Sequence, residues 1–339
     1  MILRKYNLYR GATMTLPKYI LIQLAGLLFV SSAFANDITI GYQTGIEPAK
    51  VAIANGDYEK ASGEKIHWRR FDNGAELIRA IASGDIVIGN VGSTVVATAA
   101  SHHLPIQAFL IASQLGASEA LVVRNNLGIN HPEDLIGKTI AVPFVSTSHY
   151  SLLAALKHWG IEVNKVKIIN LRISEIPAAW QRGDIDAAYV WEPALGKIKE
   201  SGSVMATSGD VGKWGAPTFD LWVVNNDFAE KHKDFLKKFT QTALEKINLY
   251  YANPDDFSKN ATNLENIAKI TGAKTSDINE LLGSDNYPLA NKQSQLLTEQ
   301  VTKAIADSAS FLKAQGKIDV LLTNYNAYVT DTFISNPMN

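Results

Sequence analysis

Two stretches of the chain place hydroxyl-bearing residues where a strand gives way to a helix. Gly89-Asn90-Val91-Gly92-Ser93-Thr94 does so in the first half, and Pro143-Phe144-Val145-Ser146-Thr147-Ser148-His149-Tyr150 in the second. A helix start carries N–H groups with no intrahelical acceptor and a partial positive charge, and Ser or Thr adds further donors. Such an end holds an anion without lysine or arginine. The same hydroxyls also suit ordinary N-capping. One such junction in each half favours an anion site built from both.

A second set is acidic and aromatic: Glu47 after the first strand, Trp191-Glu192 after a later one, and Asp220 ahead of an apolar run. A carboxylate facing a cleft holds an ammonium group, and an indole face adds cation–π attraction. Blander roles stay open, with Glu47 as a first-turn charge beside Pro48, Trp191 as core and Asp220 in a turn. An anion site and an ammonium site in one cleft would specify a small zwitterion.

Motifs for bond-making chemistry are missing. There is no Gly-x-Ser-x-Gly elbow and no His-Glu-x-x-His pair. Gly137-Lys138-Thr139 resembles the end of a phosphate loop, but Pro132 stands where that loop needs glycine. The seven histidines are scattered, and the chain has no cysteine, which excludes disulfides, thiolate nucleophiles and Cys-based zinc sites. No cofactor, no metal and no catalytic residue is expected.

The elements that position these residues alternate. Ile38–Tyr42, 67–71, 86–90, 121–123 and 140–142 read as strands, and 75–83, 94–101 and 150–159 as helices, a βαβα rhythm that predicts α/β construction. Residues 80–92 and 179–191 echo each other. Both run from a helix end through Gly-Asp into a short strand, at Gly84-Asp85 and Gly183-Asp184. Two lobes of like construction follow, with the ligand expected beyond the carboxyl ends of the strands. Segments 118–123 and 218–224 read as crossings between the lobes. After Val224 helical pattern dominates, over 228–251, 257–272, 275–282, 294–315 and 319–332.

The first thirty-five residues read as a secretory leader. Arg4, Lys5, Arg10 and Lys18 precede an apolar run from Ile20 to Val30, and Ala33-Phe34-Ala35 offers a cleavage site. The run is shorter than the roughly 20 residues that span a bilayer. Met14 is a possible alternative start. Loss of the four basic residues takes the formal charge from −1 to −5, no footprint for nucleic acid. The expected domains are a leader over 1–35, a first lobe from 36–122 and 222–339, and a second lobe over 123–221.

Longer motifs carry a resemblance. Tyr42-Gln43-Thr44-x-x-Glu47-Pro48-Ala49-Lys50, Ser83-Gly84-Asp85-x-x-Ile88-Gly89-Asn90-x-Gly92-Ser93, Ala178–Trp191 and Trp214-Gly215-Ala216-Pro217-Thr218-x-Asp220 resemble the taurine-binding branch of the periplasmic substrate-binding proteins of ABC importers. The wider family includes binders of alkyl sulfonates, nitrate and thiamine precursors. The likeness runs from about Ile38 to Tyr328 and is weakest over about 255–296. It implies a type II periplasmic binding fold, two mixed sheets flanked by helices and joined by two hinge strands. It further implies that Ser93, Thr147 and His149, with backbone near Gly92 and Ser146, receive a sulfonate. Glu47 and Asp220 would receive the ammonium, with Gln43 and Trp191 shaping the walls, while Glu192 either adds a carboxylate or faces water. The implied partners are taurine or a related small sulfonate and the permease and ATPase subunits of an importer, with the protein itself a periplasmic monomer.

Overall fold

The computed structural model describes residues 38–334, and the leader expected over 1–35 lies outside them. The first sheet begins with β1 (Ile38–Tyr42), β2 (Ile66–Arg70), β3 (Ile88–Gly92) and β4 (Ile106–Gln114). The second takes β5 (Glu119–Arg124), β6 (Thr139–Val142), β7 (Lys167–Asn170), β8 (Ala187–Trp191) and β9 (Gly202–Thr207). The chain then returns to the first sheet in β10 (Phe219–Asn225). Spatial order is β2-β1-β3-β10-β4 in one sheet and β7-β6-β8-β5-β9 in the other. Each sheet therefore has three parallel strands followed by one antiparallel strand contributed after a crossing.

The echoed sequences occupy equivalent places in this plan. Helix α1 (Lys50–Asn55) and α2 (Asp57–Ser62) precede α3 (Gly74–Ser83), which ends at Gly84 with φ 82°, and α4 (Ser93–Ser101) follows β3. In the second lobe α5 (Thr147–His158) precedes α6 (Ile176–Arg182), which ends at Gly183 with φ 81°. Both turns need the left-handed region that glycine enters without strain. Each feeds the third strand of its sheet, β3 or β8. Two short helices, α7 (Ala194–Lys199) and α8 (Ser208–Lys213), complete the lobe.

Most of the later helices return to the first lobe. They are α9 (Asn226–Lys231), α10 (Lys233–Ala252), α11 (Pro254–Lys259), α12 (Ala261–Thr271), α13 (Thr275–Leu282), α14 (Ala290–Leu296) and α15 (Thr302–Ala314). Helix α10 packs on α2, α12 on α1 and α15 on α4. The single helix expected over 228–251 is broken at His232, whose φ of −126° lies outside the helical range. No helix forms over 319–332 beyond one 3₁₀ turn at Asn326–Tyr328. There the backbone covers the open edge of β4 instead, bridging Ala108 to Val329 and donating Thr330 N–H to Ala108 at 2.9 Å. Covering a sheet edge outweighs local helical preference. Among the described residues no helix is long and apolar enough to cross a membrane.

Residues 115–118 and 214–218 carry the chain between sheets, and they touch each other, with Leu115 N–H donating to Thr218 O at 3.0 Å. Asp285 fastens the first crossing: its Oδ1 accepts Gly116 N–H at 2.7 Å and its Oδ2 accepts the Ser118 hydroxyl at 2.6 Å. A Cβ on Gly116 would lie 1.9 Å from the Ser284 carbonyl oxygen, so only glycine fits. Gly116→Ala is therefore expected to destabilise the protein by about 2 kcal/mol or more. Thermal unfolding checks this, and an unchanged midpoint contradicts the packing described.

Candidate functional site

A small cavity lies between the lobes at the ends of β1, β3, β6 and β8, where the fold directs the loops. The centre of a water-sized group can range over about 30 Å³ of it. The first lobe contributes Gln43, Gly74, Gly92, Val95 and Asp220, and the second contributes Glu119, Ser146, Thr147 and Trp191. Leu115 and Ser118 of the crossing, and Asp285 that holds it, close the rest.

Three helix starts reach the cavity. Gly74 opens α3, Gly92 precedes α4, and Ser146 and Thr147 open α5. The side chains around them are largely committed to positioning. Ser146 caps α5, accepting His149 N–H at 3.1 Å and donating to Pro143 O at 2.5 Å. Ser93 is fully buried and does not line the cavity; its Oγ accepts Phe219 N–H at 3.4 Å and ties α4 to β10. Thr147 donates to Glu119 Oε2 at 2.6 Å. What remains for an anion is the backbone N–H groups of the first turns and their partial positive charge. Gly92 lets the lobes meet, since a Cβ there would lie 2.6 Å from Thr147 Cγ2.

The opposite character belongs to three carboxyl groups, Glu119, Asp220 and Asp285. Glu119 is satisfied by the hydroxyls of Thr147 and Ser208, at 2.6 and 2.7 Å, and Asp285 by the crossing. Asp220 differs: among the described residues no hydrogen-bond donor reaches its carboxylate. Burial pushes it up to about 8, reinforced by the charges of Glu119, Glu47 and Asp285 and opposed by Lys50. Burial likewise raises Asp285 to about 7. Nearby, the amide oxygen of Gln43 is buried with no donor among the described residues.

The remaining residues singled out from sequence sit elsewhere. Glu47 does not line the cavity; it is ion-paired with Lys50 at 2.8 Å, and both are buried. Its carboxylate thus has an internal cation as partner. His149 also lies off the cavity, stacked on Phe144 at 4.5 Å with Phe311 of α15 edge-on at 5.6 Å. Burial, with Lys317 nearby, lowers it to about 4, so at neutral pH it is uncharged, and among the described residues its buried Nδ1 has no hydrogen-bond partner. Glu192 neither lines the cavity nor faces water: it is 2 % exposed, accepts Gly196 N–H at 3.2 Å, and is pushed up to about 7 by burial. Trp191 does form a wall, and its Nε1 donates across the cleft to Thr44 Oγ1 at 3.2 Å, while Thr44 donates to Glu192 O at 2.6 Å. Sequence reasoning missed Gly74, Glu119 and Asp285 as lining residues.

These buried acids predict a pH effect on the free protein. Asp220, Asp285 and Glu192 keep their protons to higher pH when folded than when unfolded, where carboxyls titrate near about 4. The unfolded chain therefore binds fewer protons between about pH 4 and 8, and stability falls as pH rises through that window. Thermal melts without ligand should show this decline, and Asp220→Asn should flatten it and raise the midpoint near pH 8. A melting temperature that climbs from pH 5 to 8 in both proteins contradicts the assignment.

Comparison with known proteins agrees with this architecture. The family described as NMT1/THI5 like matches residues 43–257. The chain is 51% identical over 312 residues to the taurine-binding periplasmic protein of Escherichia coli, covering 92% of this chain and 97% of that one. A putative aliphatic sulfonates-binding protein of Bacillus subtilis is 27% identical, with 74% and 77% covered. Among solved structures, the alkanesulfonate-binding protein of Xanthomonas axonopodis pv. citri bound to MOPS superposes with a TM-score of 0.68 at 20% identity, over 84% of this chain and 94% of that one. The chain belongs to the NMT1/THI5-like family, and within it to the group of periplasmic binding proteins represented by the Escherichia coli relative.

Proposed function

We propose that this protein captures taurine, 2-aminoethanesulfonate, in the interlobe cavity and delivers it to the membrane subunits of an ABC importer. The observation that carries the reading is Asp220, a carboxylate that no donor among the described residues reaches, in a cavity that three helix starts also face. A sulfonate is ionised throughout the physiological range and suits the N–H groups at the starts of α4 and α5. An ammonium two carbons away supplies the donor that Asp220 lacks, with Gln43 Oε1 as a second acceptor. The small cavity favours a ligand of this size over bulkier sulfonates. The relatives' names support the same class. Export to the periplasm, action as a monomer and the absence of catalysis belong to this reading.

Calorimetry with short ligands tests it. Taurine should bind at least about 100-fold more tightly than ethanesulfonate, which lacks the ammonium, because a buried carboxylate left unmatched is costly. β-Alanine, with a carboxylate in place of the sulfonate, should also bind weakly. Asp220→Asn should lose most of the taurine affinity and keep or improve that for ethanesulfonate. Equal affinities for taurine and ethanesulfonate would reassign the cavity to unsubstituted alkyl sulfonates.

A further inference from the structure

The buried cation nearest the acidic wall belongs to Lys50. Its side chain is fully buried, its Nζ is 2.8 Å from the Glu47 carboxylate, and it lies over the rings of Tyr42 and Trp222 at 5.8 and 5.6 Å. Trp222 follows Asp220 by two residues on β10, whose pairing with β3 runs without interruption from Asp220 to Val224. The two side chains therefore share one face of the strand. Tyr42 directly precedes Gln43, the other acceptor on the cavity. Lys50 thus sits behind the amine end of the site, on the same face as Asp220, with Glu47 between its charge and full neutralisation.

We propose that Lys50 is a positioning residue for the ligand's amine end. Its buried cation holds Glu47 out of the cavity and favours the ionised form of Asp220, so that a single carboxylate meets the ammonium. This rests on the reading of Asp220 as the ammonium acceptor. A surface lysine at this spacing would be a weak i,i+3 partner of Glu47. Buried beside a cavity of carboxyl groups, it is a fixed charge whose field is little screened. The charged groups whose fields act on Asp220 are Glu119 from β5, Asp285 from the segment after α13, Lys50 at the start of α1 and Glu47 just before it. Tyr58 of α2 and Tyr287 also feel the charge of Glu47, and burial keeps both phenols protonated.

The test is calorimetric titration of the intact protein with taurine between about pH 5.5 and 9, for wild type, Lys50→Met, Glu47→Gln and Asp220→Asn. In wild type, affinity rises with pH as Asp220 ionises. Lys50→Met should move the midpoint of that rise up by about one unit and weaken binding near pH 7 about tenfold, with little loss at the alkaline end. Glu47→Gln leaves the cation without its carboxylate and should move the midpoint down. The two opposite shifts support the proposal, and a downward shift in Glu47→Gln suffices if Lys50→Met does not fold. Loss by the same factor at every pH in both variants would overturn it in favour of a purely structural pair. Tighter binding by Lys50→Met at all pH values would overturn it in favour of Glu47 as the direct acceptor. Wild-type affinity in Asp220→Asn would instead overturn the underlying reading of the amine end.

Discussion

A partly buried carboxylate that no hydrogen-bond donor among the described residues reaches is unfavourable, and Asp220 is held in that condition by the fold around it. Strand β10 returns from the second lobe to lie between β3 and β4, which places residue 220 at the mouth of the first sheet. Glu119 reaches the same cavity from the other sheet, and Asp285 reaches it while fastening the crossing. Three acids so close together cannot all ionise cheaply. Three helix starts face the same space, and a dipolar molecule placed with its cation toward Asp220 relieves both ends at once.

The likeness of the two sheets explains how one cavity acquires both characters. Each sheet ends its parallel strands at loops that open helices, and each receives one antiparallel strand with an acid in its first two residues, Glu119 in β5 and Asp220 in β10. Apposing two such sheet ends brings helix starts and carboxylates together from both sides. The lobes are held in register by Thr44 against Trp191 and Glu192 and, at the cleft edge, by Arg172 with Glu76 at 3.0 Å and Ser174 with Asp72 at 2.8 Å. The edge contacts are exposed and weakly stabilising. Cleft geometry is therefore governed chiefly by the buried contacts and by Gly92, which packs against Thr147 of the other lobe.

Much of this plan is legible in the sequence because it rests on local chemistry. Gly84-Asp85 and Gly183-Asp184 announce their turns, and the helix starts at Ser93 and Thr147 follow from their hydroxyls and flanking strands. What escapes is set by tertiary neighbours. Strand β4 is apolar on both faces and lacks the alternation that marks a half-buried strand. Asp285 lies in an irregular segment after α13, and its function exists only because the crossing passes beside it. Glu47 reads as a cleft carboxylate, and its pairing with a buried Lys50, three residues on, is set by the fold. His149 reads as a donor, and nothing local announces its ring contacts with Phe144 and Phe311.

The central claim is that an ammonium group replaces a proton on Asp220. Counting protons when taurine binds tests it most directly, by calorimetry at neutral pH in buffers of different ionisation enthalpy. With Asp220 titrating at about 8 in the free protein, binding near pH 7 should release close to one proton, and the release should fade above about pH 9. Tight binding with no proton released near pH 7 would contradict the account.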